Sequence, residues 1–237
     1  MTAAHPSSNP PIAVISGGAS GIGKAVAETL AAEGMHVVVA DVSPGSGSAT
    51  VDHVLCDVTN PQHIDALYAH VTQTYGHPDL LVCCAGRGIH EKLTEGDPAK
   101  WQAVLDLNLM GPLRLIRAFT PGMLQKGAGD VVILSSVSAG QTYAYGGIYA
   151  ASKTALNTIA ETLRQETVPV LRVLTVAPGV TDTHFFENTI SGYNTVESIG
   201  YGALSADEVA QTVLFALKQP RHVSLNHLTI RPTPQPF

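Results

Sequence analysis

Short apolar runs alternate with segments of helical spacing along nearly the whole chain, and this alternation limits the fold more than any single residue does. Ile12 to Ile15 is an apolar run closed by Ser16 and glycines. Ala25 to Ala32 then carries apolar residues at helical spacing, with Gly34 after its end. His36 to Ala40 is a Val-rich run that ends at Asp41. Strand, glycine turn, helix and strand make a βαβ unit. Further strands are expected at His53–Cys56, Asp79–Cys84, Asp130–Ser135, Val170–Ala177 and His227–Ile230. Helices are expected over Pro61–Tyr75, Ile148–Thr167 and Ser205–Lys218, the last with a capping box from Ser205 and Glu208. A long helix is expected from near Pro98 toward Gln125, with Pro112 and Pro121 marking bends or breaks. Most strand runs are apolar on both faces, as in a parallel sheet covered on both sides. The expected fold class is therefore α/β: a single, doubly wound, Rossmann-type parallel sheet with helices on both faces.

The chain has 237 residues, 45% of them hydrophobic and 14% charged, enough for one sizeable core. Residues 12–237 are expected to form one domain behind a polar, disordered tail at 1–11. A net charge of -6 without a basic cluster argues against a nucleic-acid partner. No apolar run approaches the roughly 18 residues of a membrane span, and the N-terminal segment lacks the apolar core of a signal peptide. The three cysteines, Cys56, Cys83 and Cys84, read as buried reduced thiols of a cytoplasmic protein.

Three places carry chemistry. Gly17, Gly21 and Gly23 form a G-x-x-x-G-x-G loop. Glycines permit positive φ and close backbone approach, and the helix that follows points its N–H groups at a pyrophosphate. Asp41 ends the second strand about 20 residues on, where an acid accepts from a ribose 2′-hydroxyl. Tyr149 and Lys153 are four apart and share a helix face. A lysine ammonium beside a phenol favours the phenolate and makes the pair an acid/base device. Taken alone, each also reads blandly: a tight turn, a strand-end acid, a half-buried tyrosine with a solvated lysine.

Together these residues resemble the short-chain dehydrogenase/reductase superfamily, and the match covers roughly Ile12 to Pro232. Its motifs follow in family order: the loop 17–23, Asp57-Val58, Ala85-Gly86, Asn108, Ser135-Ser136, Tyr149-x-x-x-Lys153 and Pro178-Gly179-Val180-Thr181-Asp182-Thr183. The resemblance implies a catalytic set of Asn108, Ser136, Tyr149 and Lys153. Tyr149 would be the general acid for carbonyl reduction. Lys153 would bind the nicotinamide ribose and lower the Tyr149 pKa. Ser136, at the family's spacing of 13 residues before Tyr149, would hold the substrate oxygen, with Ser138 as the alternative. Asn108 would hold a proton-relaying water. The implied cofactor contacts are Gly17, Ser20, Gly21, Ile22, Gly23 and Asp41, then Asp57 and Val58 at the adenine and Ala85 and Gly86. Tyr149, Lys153, Pro178, Gly179, Thr181 and Thr183 complete them. NAD is the expected cofactor, because Asp41 would repel a 2′-phosphate and Ser20, Val42 and Ser43 are not basic.

One departure stands out: the family's usual Asn-Asn before Ala-Gly is Cys83-Cys84 here. Three segments would roof the substrate pocket, Arg87–Leu93, Gln141–Ile148 and His184–Gly202. The last carries Phe185, Phe186, Tyr193 and Tyr201, and its glycines suit a mobile, partly apolar lid. His90, Glu91 and His184 are candidate substrate contacts. No histidine pair has metal-ligand spacing, so no metal is expected. The helices at 98–125 and 148–167 are expected to pair into a homodimer or homotetramer by resemblance. The expected function is NAD(H)-dependent interconversion of a carbonyl and a secondary alcohol that is apolar or aromatic in part. The alternatives are an epimerase or lyase of the same fold and a non-catalytic dinucleotide-binding module.

Overall fold

A computed structural model describes residues 10–192 and 196–236. The tail expected to be disordered lies, as far as residue 9, outside the described residues, and so does Tyr193. The described chain runs β1 (Ile12–Ser16), α1 (Gly21–Ala32), β2 (His36–Asp41), β3 (Val51–Leu55), α2 (Pro61–Thr74) and β4 (Leu80–Cys83). It continues through α3 (Pro98–Leu105), a π-helical turn (Asp106–Met110), α4 (Gly111–Lys126), β5 (Gly129–Leu134) and a 3-10 turn (Val137–Ala139). The remainder is α5 (Gly147–Thr167), β6 (Leu171–Pro178), α6 (Val196–Ile199), α7 (Ala206–Leu217) and β7 (His227–Ile230).

All seven strands are parallel, in the order β3-β2-β1-β4-β5-β6-β7. This is the expected doubly wound sheet. Side chains alternate across it, so each apolar run feeds two cores. Val14, Val38 and Leu81 pack with α2, α4 and α5 through Leu67, Phe119 and Leu156. Ala13, Ile15, Val37 and Val82 pack on the other face with Val26 and Leu30 of α1 and Val209 and Val213 of α7. The chain reverses direction across the sheet between β1 and β4, which opens a crevice beyond their carboxyl ends.

Two boundaries differ from the sequence expectation. Helix α1 begins at Gly21 rather than near Ala25. Glycine is a weak helix former, which hides this first turn in the sequence, but at Gly23 a Cβ would run into the Gly17 carbonyl oxygen. The long helix is divided at the π turn. Pro112 follows the π turn, at the start of α4, and Pro121 lies inside α4. The apolar faces expected to be outward are mostly spent on the sheet. The exposed side chains of α5 include Ala151, Thr154, Thr158, Glu161, Thr162 and Gln165, a small and polar face.

Candidate active site

The crevice at the strand ends continues into a cavity of about 700 Å³. All the expected cofactor contacts line it, Pro178, Gly179 and Thr181 included. Of the four catalytic candidates, Ser136, Tyr149 and Lys153 line the cavity, and Asn108 lies behind its wall, fully buried.

The glycine loop is shaped by contact with the end of β4. Gly17 has φ +71, and a Cβ there would stand 2.7 Å from the Ala85 Cα, so only glycine fits. Gly21 has φ +53 and faces Thr183, whose side chain would lie 3.4 Å from a Cβ at that point. Ser20 is the N-cap of α1, yet its side chain makes no capping bond. The amides of the first turn, from Gly21, Ile22 and Gly23, have no partner within the helix by geometry. A tight glycine loop and an uncapped helix N-terminus opening on a cavity suit the pyrophosphate of a dinucleotide.

Asp41 sits at the edge of that loop. Its Oδ2 accepts from the Ala19 amide at 3.0 Å and its Oδ1 from the Ser43 amide at 2.9 Å. The bland and the functional readings of Asp41 therefore coexist, since each carboxylate oxygen has a further lone pair. Asp57 is similarly held, accepting from the Thr59 amide and hydroxyl at 2.8 and 2.7 Å. Val58 is buried against Gly111. Lys24 is outside the cavity, on the exposed face of α1 beside Glu28 at 3.8 Å.

Tyr149 and Lys153 lie one turn apart on α5, both buried. The Ser136 side chain faces the Tyr149 phenol and favours its ionised form, while its Oγ accepts from the Ser138 amide at 3.1 Å. Ser135 is the wrong partner: its Oγ is buried with no hydrogen bond. The Lys153 Nζ donates to the Leu134 carbonyl at 2.8 Å and lies 5.9 Å from the Tyr149 ring centroid. The expected lowering of the phenol by Lys153 is not what dominates here. Burial pushes Tyr149 up, against the influence of Ser136, and burial brings Lys153 itself down to about 8. The lysine faces a carbonyl and the ring, not the phenol oxygen, so desolvation outweighs attraction.

Asn108 sits in the π turn, a distortion common at functional sites. Its Oδ1 accepts from the Arg87 amide and its Nδ2 donates to the Arg87 carbonyl, both at 2.9 Å. Nδ2 also donates to Ser152 Oγ at 3.2 Å. Asn108 thereby fastens the segment after β4 to α5. Its Oδ1 and the Lys153 Nζ converge on Gly86, 3.2 and 3.6 Å from where a Cβ would stand.

Cys83-Cys84 leaves no gap in the strand end. Ser16 Oγ accepts from the Cys84 and Ala85 amides at 3.2 and 3.3 Å. Burial pushes both thiols up to about 12, so they remain protonated and unreactive. Ser16 looks in the sequence like a mere strand-end residue. Gln235 is also missed: its Oε1 accepts from the Val180 amide at 3.0 Å, and it lines the cavity. The Pro-rich C-terminal stretch gives no signal of that return.

Of the three roof segments, Arg87, His90, Gln141, Tyr143, His184, Phe185, Phe186, Asn188, Ile199 and Tyr201 reach the cavity. Phe185 leans on Tyr149 with centroids 5.6 Å apart and meets Phe186 edge-on at 5.7 Å. Glu91 does not serve as a substrate contact. It accepts from Ser191, from the Asp97 amide at 3.0 Å and from Trp101 Nε1 at 2.8 Å. These bonds, Ser191 foremost, hold its carboxyl down at about 2. The His90 amide donates to Ser191 and the Ile190 amide to Gly88, both at 2.9 Å, tying the roof to the segment after β4. Among the described residues no helix is long and apolar enough to cross a membrane, and no cluster of His, Cys, Asp or Glu is arranged to hold a metal.

Comparison with known proteins agrees with this geometry. An uncharacterized oxidoreductase of Staphylococcus saprophyticus is 32% identical over 233 residues, covering 93% of this chain and 97% of that one. One from Staphylococcus aureus is 33% identical over 230 residues, covering 93% and 96%. Among solved structures, the aldohexose dehydrogenase of Thermoplasma acidophilum superposes with a TM-score of 0.86 at 25% identity, over 94% of this chain and 93% of that one. An alcohol dehydrogenase from Thermococcus sibiricus, complexed with 5-hydroxy-NADP, gives 0.83 at 25% identity, over 96% and 98%. Residues 11–194 match the short chain dehydrogenase family, and the chain belongs to that family of oxidoreductases.

Proposed function

We propose that the protein interconverts a carbonyl and a secondary alcohol with NAD(H), with Tyr149 as the proton donor and acceptor. The observation that carries this reading is the convergence of buried Ser136, Tyr149 and Lys153 on the same cavity as the glycine loop. When bound, the reduced cofactor supplies a hydride to the carbonyl carbon. Ser136 orients the carbonyl oxygen, and Tyr149 gives it a proton. Lys153 donates to the nicotinamide ribose, and Asn108 fixes the backbone at Arg87 beneath that ribose. The glycine loop and the α1 amides hold the pyrophosphate, with Thr181, Thr183, Pro178 and Gly179 opposite. Asp57 and Val58 flank the adenine. Phe185 and Phe186 give the substrate side an apolar wall.

Asp41 supports NAD over NADP: the residues beside it, Val42 and Ser43, offer no cation to a 2′-phosphate. The Thermococcus enzyme was solved with an NADP derivative, so both cofactors belong in the assay. Assembly as a homodimer or homotetramer is part of the proposal, since small side chains on the outer face of α5 let two helices approach closely. So is a cytoplasmic setting, in keeping with three free thiols, two of them buried.

A panel of ketones and secondary alcohols, monitored by NADH absorbance, tests the reaction. Consumption of one NADH per carbonyl reduced supports it. Product formation without net cofactor turnover indicates the epimerase or lyase alternative, and binding without any turnover indicates a non-catalytic module.

A further inference from the structure

The cavity holds a second serine–tyrosine pair that the catalytic set does not use. Ser136 and Ser138 flank Val137 in one 3-10 turn. Ser136 faces the Tyr149 phenol and Ser138 the Tyr143 phenol, each favouring the ionised form. The Tyr143 hydroxyl also lies 2.9 Å from His90 Nε2, with the two rings 5.7 Å apart. His90 Nδ1 is buried and makes no hydrogen bond among the described residues. Burial lowers the His90 pKa, so the ring is neutral. In the tautomer with its proton on Nε2, which spares the partnerless Nδ1 a buried unpaired N–H, His90 donates to the Tyr143 oxygen. That bond leaves the Tyr143 O–H to donate elsewhere.

The backbone is arranged to keep Tyr143 there. A Cβ on Gly146 would run into the Tyr143 ring, and Tyr145 between them is held at φ +71, a left-handed conformation that a bulky side chain seldom adopts. Tyr143, Ser138 and His90 all line the cavity, on a polar wall of their own beside the aromatic wall of Phe185 and Phe186.

We propose that Tyr143, set by His90 and Ser138, is a specificity-determining residue that donates a hydrogen bond to a second oxygen of the substrate. The two serines stand two residues apart in one turn, and the proposed second oxygen is on a carbon near the reacting one. The substrate class is then the hydroxyketone and its diol. This rests on the carbonyl–alcohol reading above. The balance is simple: the carbonyl carbon gains hydride from NADH, its oxygen gains the proton of Tyr149, and the second oxygen keeps its bonds throughout.

The test compares matched pairs, hydroxyacetone with acetone and α-hydroxyacetophenone with acetophenone, by kcat/KM with NADH. The wild type should favour the hydroxyketone of each pair by about tenfold or more, since a donor left unpaired in a closed site rejects the analogue that lacks its acceptor. Tyr143→Phe should bring the ratio close to one, and Ser138→Ala should lower it by about threefold. Thermal melting and NADH fluorescence titration verify that the variants are folded. A wild-type ratio near one, or a ratio unchanged in folded Tyr143→Phe, overturns the proposal. Turnover of no ketone at all by the wild type would overturn the underlying carbonyl–alcohol reading instead.

Discussion

Asp41 fastens the glycine loop directly, its carboxylate accepting from the Ala19 amide at 3.0 Å. The acid proposed to select the cofactor therefore also shapes the glycine loop. Against a 2′-phosphate this carboxylate is repulsive: two unit charges about 4 Å apart at an effective dielectric of 20 repel by about 4 kcal/mol. Solvent and side-chain movement reduce that to a preference for NAD of roughly 10- to 1,000-fold in kcat/KM. Asp41→Ala with Val42→Arg should narrow or invert the preference. The double variant also loses the Ala19 bond, so affinity for NAD should fall in the same protein. Equal kcat/KM for the two cofactors in the wild type contradicts this account.

Ser16 carries the strand end that the Asn-Asn pair would otherwise support. Ser16→Ala removes the acceptor for the Cys84 and Ala85 amides. Leaving buried donors unpaired costs about 1–3 kcal/mol, measurable as a lower urea midpoint. Ser16→Thr keeps the hydroxyl and should recover most of that loss. Unchanged stability in Ser16→Ala would show that the two amides find other partners.

Stability should fall in alkali. A thiol whose folded pKa is raised contributes stability that is complete below its ordinary value and lost as pH climbs toward the folded value. For Cys83 and Cys84 the window runs from 9.0 to about 12, and for Cys56 from 9.0 to about 11. Lys153 acts in the opposite sense, because its pKa drops from 10.5 to about 8 and the unfolded chain binds more protons between them. Three thiols, joined by the raised Tyr149, outweigh one lysine. The melting temperature should decline above pH 9, less steeply in Cys83→Ala/Cys84→Ala. A flat profile to pH 11 would contradict the burial of these groups.

Assembly is open to light scattering at micromolar concentration. A dimer or tetramer is the expected result, and Thr158→Arg on the outer face of α5 should shift it toward monomer. A monomeric wild type would refute this part of the proposal.

What could be read from the sequence follows a physical division. The strands announced themselves, because a run buried on both faces must be apolar throughout, as Val37 to Ala40 is. Tyr149, Lys153, Ser136 and the glycine loop were legible because their chemistry demands fixed types at fixed local spacing. Contacts joining distant segments were not. Ser16 meets Cys84 across 68 positions and Gln235 meets Val180 across 55, and nothing local marks either. Pro112 marked the division of the long helix, but the π form of the turn before it has no compositional signature. Lys153 was expected to act on the phenol, but desolvation depends on burial, which spacing does not encode.

The central claim is that Tyr149 delivers the proton, and one variant tests it most directly. Tyr149→Phe keeps the ring that packs against Phe185 and removes only the hydroxyl. The measurement is kcat for a ketone that the wild type reduces, alongside NADH affinity by fluorescence titration. The account predicts a fall in kcat of about a hundredfold or more with NADH affinity nearly unchanged. Near-normal kcat in Tyr149→Phe would contradict it.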